Sequence, residues 1–238
     1  MIRLFLAVFA LLACAAPASA ADRAFSVADF DRLVIEGPYR VHLVVGRATT
    51  ARANGTRAGL DRVSIEASGQ TLRIRARRDG WGASAGTDPG PVTIELTTRM
   101  LRSARLLGPA TLDLEGANGL NVDLMVEGSG TLRATRVAAD ALSLGLLGAG
   151  SLEVAGAAKT LRGQFQGTGS VDAANLAADA ATITANTSGN VALQVNGRAE
   201  INAYGVGTVI IGGRPACVLS GSTAAQVRCG TSNQRQAR

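Results

Sequence analysis

Few side chains in this 238-residue chain have the type and spacing that reactive sites use. The sole histidine, His42, lies between Val41 and Leu43 in an alternating run, so it is predicted to point outward from a strand. No serine sits in a nucleophile-elbow pattern, and a Ser-His-Asp arrangement would depend on this one imidazole. Two carboxylate pairs, Asp113 with Glu153 and Asp123 with Glu127, have the residue type that glycoside hydrolysis needs. Arg133 and Arg162 interleave with them, and no long loops flank them to wall a cleft. Steps such as Gly128-Ser129-Gly130 resemble phosphate loops in composition but lack the following helix and lysine. Two cysteines and a distant histidine are too few ligands for a metal. The expectation is a chain without catalytic, cofactor-binding or metal-binding residues.

Residues that could bind are easier to find. Arg73, Arg75 and Arg77 alternate along one predicted strand and should line one face. Residues 21–105 carry 14 arginines against 9 acidic residues, whereas residues 106–238 carry 9 of each sign. This imbalance predicts attraction to an anionic envelope component or acidic glycan. The alternative is a solvated edge strand whose charges block pairing with another chain. Nucleic acid is not expected as a partner, because aromatic residues make up 3% of the chain and supply no stacking platform. Trp81 and Tyr204 are the best candidates for an exposed aromatic contact, with Trp81, in the Gly-rich stretch 79–91, the first of them. A hydroxyl row (Thr111, Thr131, Ser151, Ser170, Asn190, Thr208) is too irregular to match an ice lattice and reads instead as support for a bend.

The elements that must position these residues follow from a repeat. A small-residue corner recurs six times, as Gly108-Pro109-Ala110, Gly128-Ser129-Gly130, Gly148-Ala149-Gly150, Gly167-Thr168-Gly169, Thr187-Ser188-Gly189 and Gly205-Val206-Gly207. Counted on the third residue of each, the intervals are 20, 20, 19, 20 and 18. Two residues before each corner stand Leu106, Val126, Leu146, Phe165, Ala185 and Ala203. After it stand Leu112, Leu132, Leu152, Val171, Val191 and Val209. Such alternation on both sides of a fixed corner predicts two short strands per coil, stacked on like strands at roughly 4.8 Å. The expected fold is all-β, a right-handed parallel β-helix with coils of about 20 residues. An antiparallel sandwich is the competitor, but it would not require constant spacing. Asp113, Arg133 and Glu153 should stack as neighbours of alternating sign.

Residues 1–20 read as a signal peptide, with Arg3, the apolar run Leu4 to Ala13, and the cleavage site Ala18-Ser19-Ala20. That run is too short to cross a bilayer as a retained helix. Lipidation at Cys14, after Leu11-Leu12-Ala13, is the alternative. Cleavage after Ala20 leaves two cysteines, and an even count in an exported chain predicts a Cys217–Cys229 disulfide. The bond should cap the last coil, whose strand edge would otherwise be open. Residues 21–105 form an irregular, basic first part, either as early coils or as a capping β-module. Residues 106–230 form the regular repeats, and 231–238 a polar tail.

The opening stretch from Phe25 to Gly37 and the strand Tyr39 to Gly46 resemble the entry of the putative auto-transporter adhesin, head GIN domain family. Thr71-Leu72-Arg73-Ile74 and the later glycine corners are similar to the rest of that domain, over roughly residues 25 to 230. The resemblance implies an exported bacterial β-helix without an established enzymatic activity, and it carries over no catalytic or ligand residue. An autotransporter would also need a C-terminal translocator barrel, and only the polar tail follows residue 230. The expected role is a non-enzymatic, adhesin-like binding module, periplasmic or cell-surface associated. A structural protein of the periplasm is the alternative, and a carbohydrate-active enzyme a more distant one.

Overall fold

The computed structural model describes residues 21–77, 90–221 and 226–230. The predicted signal peptide, Cys14, Trp81 and the polar tail lie outside the described residues. The regular part begins with β8 (Ser103–Leu107) and β9 (Thr111–Glu115), which meet at the Gly108 corner. Beyond them the strands lengthen into β10 (Asn118–Gly128), β11 (Thr131–Gly148), β12 (Ser151–Gly167), β13 (Ser170–Thr187) and β14 (Asn190–Tyr204). Each pairs in parallel with the next, so the coils stack as a β-solenoid. Shorter strands end the stack: β15 (Thr208–Gly213), β16 (Ala216–Gly221) and β17 (Gln226–Cys229).

A coil has three sides where the sequence suggested two. The first side precedes the glycine corner, the second follows it, and a third leads to the next coil. β11 runs through 18 residues, covering the second side, the third side and the first side of the following coil. Register shifts at Ala134/Val137, Glu153/Ala155 and Ala173/Ala177 mark the bend between second and third sides. The third side is alanine-rich (Ala138, Ala139, Ala157, Ala158, Ala177, Ala178), so it resembles a small-residue linker in sequence. Its inward members, including Val137, Leu176 and Val195, are nonetheless buried.

Inward residues from all three sides fill one continuous apolar core. Leu33, Leu72, Ala104, Leu124 and Leu144 belong to one row of the first side, each under 3% exposed. Phe165 is the largest fully buried side chain, and the same row places Gly163 opposite its ring. A Cβ at Gly163 would lie 2.7 Å from Cζ of Phe165 and 2.8 Å from Cδ1 of Ile183, so the missing side chain is the space that the ring fills.

Two columns of corner glycine serve different needs. Gly108, Gly128, Gly148, Gly167 and Gly205 have positive φ, where a side chain is strained. Thr187 takes the same place in its coil by other means: its hydroxyl donates to the Gly167 carbonyl (3.0 Å) and accepts from the Gly189 amide (2.9 Å). From Gly130 onward the third corner residue has an ordinary backbone but no room for a Cβ, whereas Ala110 holds that place in the first corner. At Gly150 a Cβ would meet the Gly130 carbonyl oxygen at 2.5 Å and Cγ1 of Val126 at 2.9 Å.

The first third supplies both early coils and a cap. β2 (Arg32–Glu36) and β3 (Arg40–Val45) form one coil; β6 (Thr71–Ala76) and β7 (Thr93–Thr98) form another. Their spatial order is not the chain order. β2 lies between β6 and β8, and β3 between β7 and β9. To reach β8 the chain therefore crosses the earlier layer at Asp31, whose carbonyl accepts from the amides of Arg102 (2.7 Å) and Ser103 (3.2 Å). Outside this layer, β4 (Thr50–Gly55) and β5 (Val63–Ser68) pair antiparallel with β7 and β6, and β1 (Ala21–Phe25) pairs antiparallel with β4. The short helix α1 (Arg57–Arg62) joins β4 to β5, with Thr56 accepting from the Gly59 amide at 3.0 Å and Leu60 buried.

At the other end, the Cys217–Cys229 disulfide joins β16 to β17 with a Cα–Cα distance of 6.6 Å. Cys217 continues the inward row through Ala199, and Cys229 continues the row through Ile211. The bond thus crosses the open end of the core from first side to second.

Two stability outcomes follow. Gly150→Ala is expected to cost about 1–3 kcal/mol by urea unfolding, from overpacking against the neighbouring coil. Ala149→Ser, one residue away and exposed, should stay within roughly 0.5 kcal/mol. Equal midpoints for the two variants would refute the steric account. Replacing both cysteines by serine should cost on the order of 3 kcal/mol. Hydrogen exchange in that variant should speed up first in β16 and β17; uniform acceleration through β11–β13 would contradict a local cap.

Candidate functional site

Arg73 and Arg75 project from the outward face of β6, between the buried Leu72 and Ile74. β6 is not an edge: β2 flanks it on one side and β5 on the other. The edge-protection reading of these arginines is thereby corrected. Each arginine instead has an acidic neighbour, Arg73 with Glu36 at 3.5 Å and Arg75 with Glu66 at 3.0 Å. The Ser64 hydroxyl donates to Glu66 at 2.5 Å. That bond first, and the charges of Arg75 and Arg77 with it, hold the Glu66 carboxyl below the usual carboxylate range. Arg77 lies just past the strand, its amide donating to the Arg62 carbonyl at 2.7 Å, and its side chain has no ion-pair partner among the described residues. Glu66, Ser68, Thr71, Arg73 and Arg75 line an open recess of about 400 Å³.

The second side carries a row of alternating charge. Register places Arg52 beside Glu95, then His42, Asp113, Arg133, Glu153 and Asp172 in succession. His42 is exposed, as its position in the strand implied. Arg133 donates to Glu153 at 2.8 Å, so the candidate pair Asp113 and Glu153 has a guanidinium between its members. In the other candidate pair, Glu127 bonds ionically to Arg105 at 3.5 Å. Burial pushes the Asp123 carboxyl up, and Arg105 opposes the shift. Among the described residues no group of three or more His, Cys, Asp or Glu side chains could hold a metal ion. In the hydroxyl row, Ser170 donates to Ser151 at 3.4 Å.

A third surface was not assembled from the sequence, although Tyr204 was singled out there as a candidate contact. The outward rows of β12, β13 and β14 on the first side form a grid. Arg162, Thr182 and Glu200 stand in register; so do Gln164, Thr184 and Asn202, and Gln166, Asn186 and Tyr204. Seven of these nine are exposed, and Glu200 and Asn202 are half-buried. Their signal was the alternation itself, because each occupies the position between two core residues.

The fold is shared with known protein structures. No curated protein matches the sequence. The solenoid is similar to a crystal structure of a putative adhesin from Bacteroides fragilis NCTC 9343, with 17% identity over 88% of this chain and 96% of that one (TM-score 0.78). A structure from Parabacteroides distasonis ATCC 8503, described as a putative lipid binding protein, matches with 17% identity over 91% of this chain and 98% of that one (TM-score 0.73). A putative adhesin from the same organism matches at 17% identity, over 89% and 98% (TM-score 0.62). At these identities the likeness establishes the fold alone. The family model for the putative auto-transporter adhesin, head GIN domain, matches residues 29–215, and the chain belongs to that family.

Proposed function

We propose that this chain is an exported, non-enzymatic binding module of the bacterial cell envelope, with its arginine-rich first coils as the contact face for an anionic component. The observation that carries the reading is the recess on β5 and β6, where Arg73 and Arg75 are held in fixed rows on a paired sheet. Their partners are surface carboxylates, Glu66 exposed and Glu36 half-buried, and such pairs are weak and exchangeable. A phosphate or acidic sugar can replace Glu66 at Arg75 without moving the backbone, and the guanidinium fork suits such a bidentate contact. Arg77 adds a cation with no carboxylate bond among the described residues. The disulfide supports an oxidising compartment, and the family's adhesin description and one relative's lipid-binding description are consistent with surface contact. No helix among the described residues is long and apolar enough to cross a membrane.

Two experiments check this reading. The wild-type protein should bind vesicles rich in phosphatidylglycerol better than neutral phosphatidylcholine vesicles. Combined Arg73→Ala, Arg75→Ala and Arg77→Ala should weaken that binding several-fold and flatten its salt dependence, whereas Glu66→Gln should strengthen it. Acidification has the same sign as Glu66→Gln but acts only at pH values below the ordinary carboxylate range, because the Glu66 carboxyl is held low. Binding unchanged in the triple variant would remove the arginine face from the reading. Protease treatment of intact and fractionated cells would then locate the contact, since loss from intact cells means the outer surface and protection until the outer membrane is opened means the periplasm.

A further inference from the structure

From the grid on β12, β13 and β14 we infer a second binding surface, specific for a neutral polysaccharide. Stability does not account for its side chains. Outward amides stacked at roughly 4.8 Å ordinarily bond to one another along a ladder. Here Gln166 and Asn186 are in register, as are Gln164 and Thr184, yet none of the four makes a side-chain hydrogen bond among the described residues. In the same grid Ser220 donates to Asn202, so the spacing does permit such bonds. The unbonded amides and hydroxyls offer donors and acceptors together on a flat, rigid sheet, in columns about 6.6–6.8 Å apart along each strand.

That chemistry suits sugar hydroxyls better than other ligands. A planar amide gives and receives a hydrogen bond side by side, as adjacent ring hydroxyls require. Tyr204, 48% exposed at the corner of the grid, presents a ring face and a phenol to a pyranose. The charged members are confined to one column: Glu200 is occupied by Arg198 at 2.8 Å, which leaves Arg162 as the one cation of the grid without an ion pair among the described residues. So little charge does not suit a nucleic acid or an acidic polymer. A protein partner would need a central apolar anchor, and the exposed apolar side chains, Tyr204, Leu147 beside Gln166 and Val218 beside Glu200, all stand at the rim. On the same side the earlier coils differ, with Leu107, Met125 and Leu147 facing outward, so the amide grid is not simply how this solenoid finishes its first side.

The inference rests on the chain being a binding module but uses a different face from the arginine recess. Affinity gel electrophoresis of the full mature protein tests it, with dextran, mannan, galactomannan and mixed-linkage β-glucan as probes. At least one of these should retard the wild type, and high salt should leave the retardation intact. Combined Gln166→Ala, Asn186→Ala and Tyr204→Ala should weaken binding roughly tenfold or more. These residues are exposed, so unfolding midpoints should match the wild type. If they do not, Thr184→Arg, which fills the middle of the grid, serves as the second blocking variant. The Arg73→Ala, Arg75→Ala, Arg77→Ala variant should retain full polysaccharide binding, and this separates the two faces. Retardation by none of the four polymers overturns the inference, as does retardation that salt abolishes or that the grid variants leave unchanged. Capture of a protein, with no polysaccharide retained, would overturn it in favour of a protein partner.

Discussion

Everything in this molecule depends on how closely one coil's backbone lies on the next at the glycine corner. The amides of Ala149 and Ser151 donate to the carbonyls of Gly128 and Gly130 at 2.9 Å, and Ser170 repeats the contact to Gly150 at 3.1 Å. From Gly130 onward a carbonyl oxygen stands where the third corner residue would carry a Cβ, so glycine there is a requirement of distance and not of dihedral angle. Because the corners cannot drift, side chains on either side fall into straight rows. Those rows turn a one-dimensional repeat into flat faces. The core benefits equally: Leu124, Leu144 and their row mates bury one another only because the register does not slip.

Much of this was legible in the residues, and the physical reason for what was not is specific. Alternation about Gly128, Gly148 and Gly167 identified the first and second sides, because inward leucine and outward charge differ sharply there. The third side escaped notice because Ala138, Ala157 and Ala177 blur the contrast between inside and outside. The order of the first coils was equally hidden. β2 and β3 alternate as an edge coil would, and nothing local reveals that β6–β7 and β8–β9 cover them on opposite sides. That arrangement depends on a crossing at Asp31, where Thr98 also donates to the Phe30 carbonyl at 2.6 Å. The candidate Arg73 and Arg75 were found by alternation, but their partners were not, since Glu36 and Glu66 are distant or antiparallel neighbours.

The two ends solve one problem by opposite means. A solenoid exposes its last rung of backbone and the end of its core. At the first end, β1, β4, β5 and α1 reverse strand direction and break the register that another parallel coil would need. At the last end the chain does not reverse. Leu219 stands in an inward row yet is 44% exposed, because no further coil among the described residues covers it. The disulfide spans this gap at two inward positions, holding the final strands against Ala199 and Ile211 where packing alone is thin. A covalent bond is suited to the site, since it stabilises by restricting the unfolded chain and needs no neighbour above it.

Outward residues are the only ones such a scaffold leaves free to vary, so function must be sought among them, and they do not all carry equal information. Where an outward residue is bonded to its neighbour, the solenoid's own stability explains it. Arg133 with Glu153 and Lys159 with Asp140 are of this kind, each basic group raised in pKa by the bond to its carboxylate. Arg73 and Arg75 are intermediate, paired to surface carboxylates, of which Glu66 is the exposed one that another anion can replace. Gln164, Gln166, Thr184 and Asn186 stand at the far limit, in register with polar neighbours and with no side-chain hydrogen bond among the described residues. A row of alternating charge or of plain threonine would keep the sheet soluble as well as amides do. What the amides add is a fixed pattern of paired donors and acceptors, and a fixed pattern has consequences only when something complementary lies against it.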